Sequence, residues 1–217
     1  MKVAVVTGAS RGIGAAVAAA FRRAGYAVVA TSRSIPSSDE SGFLTVRGDI
    51  AQADTAERVV EGAVGGFGRI DTLINNAGVF IGKPFTDYTL DDYAKLTAVN
   101  LAGFFHITQL GIRQMVSQGS GHVVNITAGL VDHPEREAPA ALASLTKGGL
   151  AAATRSLAAE YASRGVRVNA VAPGPVGGTG QVDHIVDAIM YLERAAAVTG
   201  ETLHVHGAQA SGGSVSS

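Results

Sequence analysis

The sequence has 217 residues, 47% of them hydrophobic, with 28 glycines, no cysteine and a formal net charge of −1. This length suits one domain with a sizeable core, and the near-zero charge gives no reason to expect a nucleic-acid or anionic-membrane partner. The lack of cysteine excludes disulfides, thiolate catalysis and cysteine-ligated metals. No apolar run could span a bilayer, and Lys2 leads directly into a strand rather than a signal peptide, so we expect a cytoplasmic protein.

A glycine-rich turn stands near the start of the chain. It runs Thr-Gly-Ala-Ser-Arg-Gly-Ile-Gly over residues 7–14 and lies between an apolar strand at 2–6 and an Ala-rich helix. We expect Gly8 to allow the tight turn, Gly12 to admit a pyrophosphate close to the backbone, and Gly14 to let the helix pack on the strand. The free N–H groups of the helix N-terminus would attract the phosphates. An ordinary strand-to-helix turn can also be rich in glycine, so this motif alone does not predict cofactor binding. The other motifs in the chain are what favour that interpretation.

Strand and helix patterns alternate through the rest of the chain. Thr89-x-x-Asp92 and Asp54-x-x-Glu57 resemble capping boxes at helix starts. Repeated βα units predict a parallel sheet with helices on both faces and ligands at the carboxyl ends of the strands. We expect one domain over residues 1–207 and a flexible Gly/Ser tail over 208–217. The predicted segments are helix 13–24, strands 26–31 and 43–46, a helix from 54 toward 65, strand 70–74, a helix through 101–116, strand 121–126, helix 140–163, strand 166–171, helix 182–194 and strand 201–205.

Further motifs occur in a fixed order along the chain. Asp49 follows the third strand, Asn-Asn-Ala-Gly over 75–78 closes the fourth, and Asn100, Lys147, residues 167–174 and residues 199–205 come after them. With the glycine turn, these pieces make the chain resemble the short-chain dehydrogenase/reductase family along almost its whole length. The resemblance implies a single-domain Rossmann fold, with a seven-stranded parallel doubly wound sheet and a nicotinamide cofactor.

The resemblance also implies which residues hold the cofactor. Asp49 would accept a hydrogen bond from the adenine amino group, and Pro173 and Val176 would lie beside the nicotinamide ring. For Asn75, a structural hydrogen bond between two loops is at least as good an interpretation as ligand contact. The predicted cofactor-binding residues are Gly8, Ser10, Arg11, Gly12, Ile13, Gly14, Ser32, Arg33, Asp49, Ile50, Asn76, Ala77, Gly78, Lys147, Pro173, Gly174 and Val176.

The end of the second strand favours NADP(H) over NAD(H). Members of the family that use NAD carry an acidic residue there, which binds the ribose hydroxyls and would repel a 2′-phosphate. This chain has Ser32 and Arg33, a hydroxyl and a guanidinium that suit the phosphate, and Arg11 in the glycine turn could close over it. The alternative for Arg33 is a solvated loop cation.

The sequence departs from the family at the catalytic positions. The family uses Tyr-x-x-x-Lys on a helix and a serine after the fifth strand, so that tyrosine exchanges a proton with the substrate oxygen. Lys147 and Asn100 are present, but Ala143 stands four residues before the lysine and Ala128 stands at the serine position. The neighbouring Thr127 fits the first of the usual pair of serines.

A charged loop over residues 131–137 offers replacement groups. His133 or Glu137 could act as acid or base, whereas the alternative is a solvated loop without a catalytic role. Residues 174–180 lead directly into the next helix, so the substrate-covering lobe of the family is reduced and the site should be open to water. His122, His184, His204 and His206 show no metal-ligand spacing, so no metal is expected.

These features predict an NADP(H)-binding oxidoreductase homologue that acts on a small carbonyl or alcohol substrate but is a poor conventional carbonyl reductase. A lyase, isomerase or cyclase on the same scaffold, or an inactive nucleotide-binding scaffold protein, remains the alternative. Small and apolar residues on the helices at 101–116 and 140–163 predict a homodimer or homotetramer, because in this family such helices pair across a two-fold axis.

Overall fold

The computed structural model describes residues 1–134, 136–174 and 179–206, the last range without the side chains of residues 179 and 180. Strands and helices alternate within these ranges as the sequence pattern predicts, except that β3 follows β2 directly and α4 follows α3. In chain order the elements are β1 (Val3–Thr7), α1 (Gly12–Arg23), β2 (Ala27–Ser32), β3 (Phe43–Arg47), α2 (Ala53–Phe67), β4 (Thr72–Asn75), α3 (Leu90–Thr97), α4 (Phe104–Gln118), β5 (Gly121–Ile126), α5 (Ala141–Tyr161), β6 (Val166–Pro173), α6 (Thr179–Arg194) and β7 (Thr202–Val205).

All seven strands join one parallel sheet in the order β3-β2-β1-β4-β5-β6-β7. The chain builds outward from β1 to β3 and then crosses back to continue from β4 to β7. This order confirms the predicted doubly wound Rossmann sheet. The point where the direction reverses lies between β1 and β4, so the loops at their carboxyl ends form the crevice in which such folds bind ligands.

The core consists of two apolar layers, one on each side of the sheet. Strand residues alternate between them because successive side chains point to opposite faces. Val6 of β1 packs with Phe21 of α1, whereas Val5 packs with Val59 of α2 and Met115 of α4. Every residue of β1 is buried, which agrees with the apolar run that precedes Thr7 at its end.

The sequence predicted capping boxes at the starts of two helices, and the structure has one of them, at α3. At α3 the Thr89 side chain accepts from the Asp92 backbone and the Asp92 side chain accepts from the Thr89 backbone, which confirms the capping box. The proposed box at Asp54 is wrong, because α2 already begins at Ala53 and its cap residue Gln52 makes no side-chain capping bond. Asp54 lies in the first turn, where its charge still favours the helix dipole.

The predicted helix through 101–116 is interrupted at its start. A π-helical turn, Ala98–Gly103, joins α3 to α4. The wider turn directs Asn100 inward, where its side chain is buried. Gly103 packs tightly here, since a Cβ added to it would lie 2.9 Å from the Ile50 Cγ2 atom. The π-helical turn therefore holds two predicted site residues in place: Asn100, which lies within it, and Ile50, which packs against Gly103.

The connection between β6 and α6 is short. Helix α6 begins at Thr179, so only residues 174–178 separate the strand from the helix. The predicted tail, 208–217, lies outside the described residues, so its flexibility stays a prediction. Among the helices that the structure describes, none is long and apolar enough to cross a membrane.

Candidate cofactor and active site

The glycine turn has the backbone geometry that the sequence predicts. Gly8 has φ +66°, and a Cβ on it would lie 2.9 Å from the Ala77 Cα atom. Gly12 has φ +56°, and a Cβ there would meet nothing within 4 Å. The backbone at Gly12 is therefore open to a ligand. A side chain at Gly14 would collide with the Gly8 carbonyl and the Asn76 amide, so this glycine lets the start of α1 approach closely the turn that follows β1.

The loop after β4 holds the glycine turn in place. The Asn76 side chain donates to the Thr7 carbonyl at 3.0 Å and to the Gly8 carbonyl at 3.2 Å. The Thr7 hydroxyl accepts from the backbone N–H groups of Asn76 and Ala77. Because the turn is fixed by neighbours in the sheet, it needs no ligand to organise it. The predicted contact of residues 76–78 with a ribose stays a prediction.

Asn75 makes the structural contacts that the sequence left as an alternative to ligand binding. Its side-chain nitrogen donates to Thr108 Oγ1 and to Asn125 Oδ1, both at 2.8 Å. The Asn125 amide in turn donates to Thr154 Oγ1 at 2.9 Å. This buried chain of hydrogen bonds connects β4, β5, α4 and α5.

The carboxyl end of β2 contains the polar residues that favoured NADP(H). Ser32 is half-buried, and the Arg33 and Arg11 side chains are exposed. The Ser10 and Ser34 hydroxyl oxygens are 3.5 Å apart, so the glycine turn and the loop after β2 meet here. An anion that entered between them would face two guanidinium groups.

Arg47 is a further cation at this place that reasoning from the sequence missed. It ends β3 opposite Ser32 in the strand register. Its Nε atom donates to the Arg33 carbonyl at 2.9 Å, which leaves the terminal nitrogens of the guanidinium exposed at the same edge. Adjacent parallel strands that end in Ser-Arg and Arg are the signal that could have identified it.

Asp49 lies where the resemblance places an adenine-binding residue, just beyond β3. One of its carboxylate oxygens accepts from the Ala51 N–H at 3.1 Å, and the residue is half-buried. Ile50 is buried against the π-helical turn. The second carboxylate oxygen of Asp49 has no hydrogen-bond partner among the described residues and is available for a donor.

A cavity of about 1040 Å³ opens beyond the carboxyl ends of β1, β4, β5 and β6. This volume is at the upper end of the range for small-molecule sites. It joins the phosphate side of the predicted cofactor site to the predicted catalytic residues. Its walls are formed by Ile13, Asn76, Gly78, Val79, Phe80, Ile126, Thr127, Ala128, Gly129, Leu130, His133, Ala138, Lys147, Pro173, Gly174 and His206.

Lys147 lines this cavity, and the buried Asn100 lies close to it, with Gly78 between the two side chains. The Lys147 ammonium donates to the Ile126 carbonyl at 2.7 Å, and burial lowers the pKa of Lys147 to about 8. Asn100 accepts from the Val79 N–H at 2.9 Å and donates to the Val79 carbonyl and to Thr146 Oγ1, both at 3.0 Å. Gly78 lies between the two side chains, since a Cβ on it would be 3.0 Å from Lys147 Nζ and 3.3 Å from Asn100 Oδ1.

The two alanines occupy different environments. Ala128 is part of the cavity wall. Ala143 lies one helical turn before Lys147 but is only 1% exposed and is not among the cavity-lining residues of the described chain. Thr127 is buried, and its hydroxyl donates to the Val171 carbonyl at 3.2 Å. That hydroxyl therefore has a partner within the sheet.

The charged loop brings only one of its two candidate acid–base residues to the cavity. His133 lines it, whereas Glu137 is exposed and does not belong to the described lining. His206 lines the cavity beside His133, with ring centroids 5.4 Å apart. This position of His206 was not predicted from the sequence. Val176 lies outside the described residues, so its proposed nicotinamide contact stays a prediction.

Three histidines that show no metal-ligand spacing along the chain come together in three dimensions. His133, His204 and His206 place one ligand atom each within 4.8 Å of the others. His204 and His206 are two residues apart on and just beyond β7, a spacing that puts both side chains on the same side of a strand. A His-x-His pair at a strand end is therefore the signal that could have identified the cluster.

Comparisons with known proteins agree with this architecture. A family model described as short chain dehydrogenase matches residues 2–188. A 3-oxoacyl-[acyl-carrier-protein] reductase of Synechocystis is 33% identical over 240 residues, with 95% of this chain and 96% of the relative covered. An uncharacterized oxidoreductase of Thermotoga maritima is 37% identical, with 80% of this chain and 71% of the relative covered. A solved structure of a Serratia marcescens short-chain dehydrogenase/reductase superimposes with a TM-score of 0.87 at 33% identity, covering 95% of this chain and 96% of that one.

Proposed function

Because this chain belongs to the short-chain dehydrogenase/reductase family, we propose that it is an NADP(H)-binding oxidoreductase for a small carbonyl or alcohol, with weakened hydride transfer. The observation that carries the proposal is the set of side chains in and beside the cavity. Lys147 in the cavity wall and the buried Asn100 are held by hydrogen bonds, but methyl groups stand at position 128 in the wall and at the buried position 143, where the family has hydroxyls.

The residues present fit a dinucleotide. The open backbone at Gly12 and the N-terminus of α1 would hold the pyrophosphate, and Arg11, Arg33 and Arg47 would surround a 2′-phosphate. Asp49 would accept from the adenine, and Lys147 would donate to the nicotinamide ribose. The cofactor, when bound, supplies or accepts the hydride. Pro173, Gly174 and Val176 would orient its nicotinamide ring.

The chain's own side chains give poor proton transfer. Hydride addition to a carbonyl leaves an alkoxide, which an alanine methyl can neither protonate nor stabilise. Lys147 could supply a proton through water, since a pKa of about 8 leaves most of the ammonium protonated at neutral pH. It would act without the phenol that normally stands between lysine and substrate.

Three further predictions belong to this proposal. The alignment with the Synechocystis relative spans 240 residues, more than this chain contains, so the relative has segments that this chain lacks. This supports a reduced substrate lobe and an open site for a small substrate. We also predict that the chain forms a homodimer or homotetramer and that it is located in the cytoplasm.

A second candidate is a lyase, isomerase or cyclase on the same scaffold. The observation that favours it is His133, a titratable side chain in the cavity wall beside positions 128 and 129. Such an enzyme would convert its substrate with bound cofactor and no net change in NADPH. Substrate consumption without NADPH oxidation therefore separates the two candidates.

The test is steady-state NADPH oxidation with a panel of ketones, aldehydes and quinones. The wild type should turn over slowly. Ala143→Tyr combined with Ala128→Ser should raise turnover, because general acid help is worth about 10²–10⁴-fold in rate. Position 143 is buried, so a tyrosine there is expected to lower the free energy of unfolding by roughly 1–3 kcal/mol. Thermal unfolding of each variant is therefore measured alongside the assay, so that lost stability is not mistaken for lost activity.

Leu145→Tyr is the matched control, because it adds an aromatic ring to an exposed position of the same helix. Its turnover should equal that of the wild type. Lys147→Met in the double variant should abolish the gain. Robust wild-type reduction of a simple ketone, lost on changing His133 or Glu137, would show instead that the charged loop has replaced the tyrosine.

A further inference from the structure

Three histidines from two separate segments converge at the rim of the cavity. His133 lies in the charged loop, His204 lies in β7, and His206 follows directly after that strand. Their ring centroids are 5.4 to 5.8 Å apart, and one nitrogen of each lies within 4.8 Å of the others. No other group of three histidine or carboxylate side chains in the described ranges comes together in this way.

The strand geometry explains why two of the rings are parallel. β7 pairs with β6, with His204 opposite Ala172, and the ladder continues to the hydrogen bond from the Gly174 N–H to the Val205 carbonyl. Residues 204 and 206 therefore point the same way, and their rings stack with an interplanar angle of 8°.

Two glycines make room for the His206 ring. A Cβ on Gly174 would lie 3.1 Å from its Nδ1 atom, and a Cβ on Gly129 would lie 3.2 Å from its Cε1 atom. Both glycines line the cavity, so the imidazole lies against the cavity wall.

The loop that carries His133 is anchored by its backbone. The N–H groups of Asp132 and His133 both donate to the Gly129 carbonyl, at 3.1 and 2.9 Å. This tight turn directs His133 toward β7. It also places an Asp132 carboxylate oxygen 3.6 Å from His204 Nε2. A carboxylate beside a ligating imidazole is a frequent outer partner in metal sites, because it orients the ring.

We propose that His133, His204 and His206 form a binding site for a divalent transition metal, with Zn²⁺ the best fit. Neutral imidazole nitrogens suit this borderline ion, and three of them leave a fourth tetrahedral position open, as in catalytic zinc sites. His133 and His206 line the cavity, so the open position faces a molecule bound there. A water or a carbonyl oxygen would complete the coordination.

The metal site does not depend on the proposed reductase activity, and its test measures binding alone. Untagged protein, treated with a chelator, is titrated with ZnCl₂ in a calorimeter, and bound metal is quantified by elemental analysis. The wild type should bind one Zn²⁺ per chain. His133→Ala, His204→Ala and His206→Ala should each weaken the affinity on the order of 100-fold or more, since even changes to outer partners cost about 10–100-fold.

His184→Ala is the matched control, because it removes an exposed histidine of α6 outside the cluster. It should bind Zn²⁺ as the wild type does. Co²⁺ provides a second readout, because the intensity of its visible absorption bands distinguishes four-coordinate from six-coordinate geometry. The bands should be strong in the wild type and absent in His206→Ala.

Three results would overturn the proposal: no Zn²⁺ binding by the wild type at micromolar concentration, unchanged binding in all three cluster variants, or an equal loss in His184→Ala. Circular dichroism of each variant confirms that its fold is intact, so that a lost site is not mistaken for a lost structure. Because no substrate enters the experiment, its outcome is distinct from failure of the reductase proposal.

Discussion

At the scale of a single residue, we predict that Arg33 sets a preference for NADP(H) over NAD(H). Its exposed guanidinium stands at the end of β2 beside Arg47, so Arg33→Ala should weaken NADPH binding by about 1.5–3 kcal/mol, roughly 10- to 150-fold. NADH binding should hardly change, because that cofactor lacks the 2′-phosphate. Calorimetric titration of both cofactors into the wild type and the variant measures this.

Arg23→Ala controls for the loss of one positive charge, since Arg23 is exposed in the last turn of α1, away from the N-terminus at which we propose that the phosphates bind. Its affinity for NADPH should match the wild type. Equal affinity of the wild type for NADPH and NADH would contradict the predicted preference.

Gly8 and Gly65 should respond to alanine in opposite directions. Gly8 has positive φ and no room for a Cβ, so Gly8→Ala should destabilise the protein by about 1–3 kcal/mol. Gly65 lies exposed inside α2 with nothing near its Cβ position, so Gly65→Ala should stabilise by about 0.5–1 kcal/mol. Urea unfolding of both variants checks the signs, and stabilisation by Gly8→Ala would show that the turn is not built as described.

At the scale of elements, a buried network joins α6 to the sheet. The Glu193 carboxylate accepts from the Tyr26 hydroxyl at 2.8 Å and from the Thr72 hydroxyl at 3.0 Å. His122 Nδ1 lies 2.8 Å from the same carboxylate, and the Asn169 amide donates to His122 Nε2 at 3.1 Å. This pattern assigns the neutral tautomer with its proton on Nδ1.

The network makes stability depend on pH. Burial lowers the pKa of His122 from its ordinary 6.5. For Glu193 burial raises the pKa, but hydrogen bonds from His122, Tyr26 and Thr72 outweigh it, and the net pKa is below the ordinary 4.5. Both groups therefore take up protons first in the unfolded chain. The contribution of these two groups to stability is present above pH 6.5 and is lost as the pH falls, first through the histidine range and then through the carboxylate range.

Glu193→Gln should lower stability at pH 7 by about 1–3 kcal/mol, because one acceptor of the buried network is lost. Below about pH 5 the variant should lose stability less steeply than the wild type, because glutamine does not titrate there. Denaturant unfolding at a series of pH values measures both effects. Glu57→Gln, on the exposed face of α2, should leave the profile unchanged, and an unchanged profile in Glu193→Gln would refute the assignment.

At the scale of the whole molecule, α4 and α5 leave an apolar groove of about 600 Å³ between them. Phe105 on its edge is 55% exposed, and Leu157 and Tyr161 of α5 line it. A second copy of the chain, related by a two-fold axis, would cover this surface with the same residues. The groove supports the predicted homodimer or homotetramer.

Phe105→Asp should therefore convert the protein into monomers, because a buried unpaired carboxylate would oppose association. Light scattering at micromolar concentration measures the mass, against a monomer of 22.0 kDa. Phe85→Asp is the matched control, since Phe85 is 68% exposed and lies outside α4 and α5. A wild type that is monomeric at this concentration would contradict the oligomer.

The sequence by itself determined the sheet, the glycine turn and most element boundaries. These follow from local chemistry: apolar runs form buried strands, and glycine permits the backbone angle at residue 8. The fifth strand was predicted with the bounds that the structure shows, Gly121–Ile126. Ala128 and Ala143 were identified from the family resemblance, which implies a serine and a tyrosine at these positions, whereas the sequence has alanine at both.

Only the tertiary structure decided how distant residues meet. It placed Arg47 beside Arg33 through strand register, buried Ala143, and separated His133 from Glu137 with respect to the cavity. It also joined His133 to His204 and His206 across about 70 positions of sequence. Spacing along the chain fixes which side of an element a side chain occupies. It does not fix which other element faces that side, because packing of the whole sheet and its loops determines that contact.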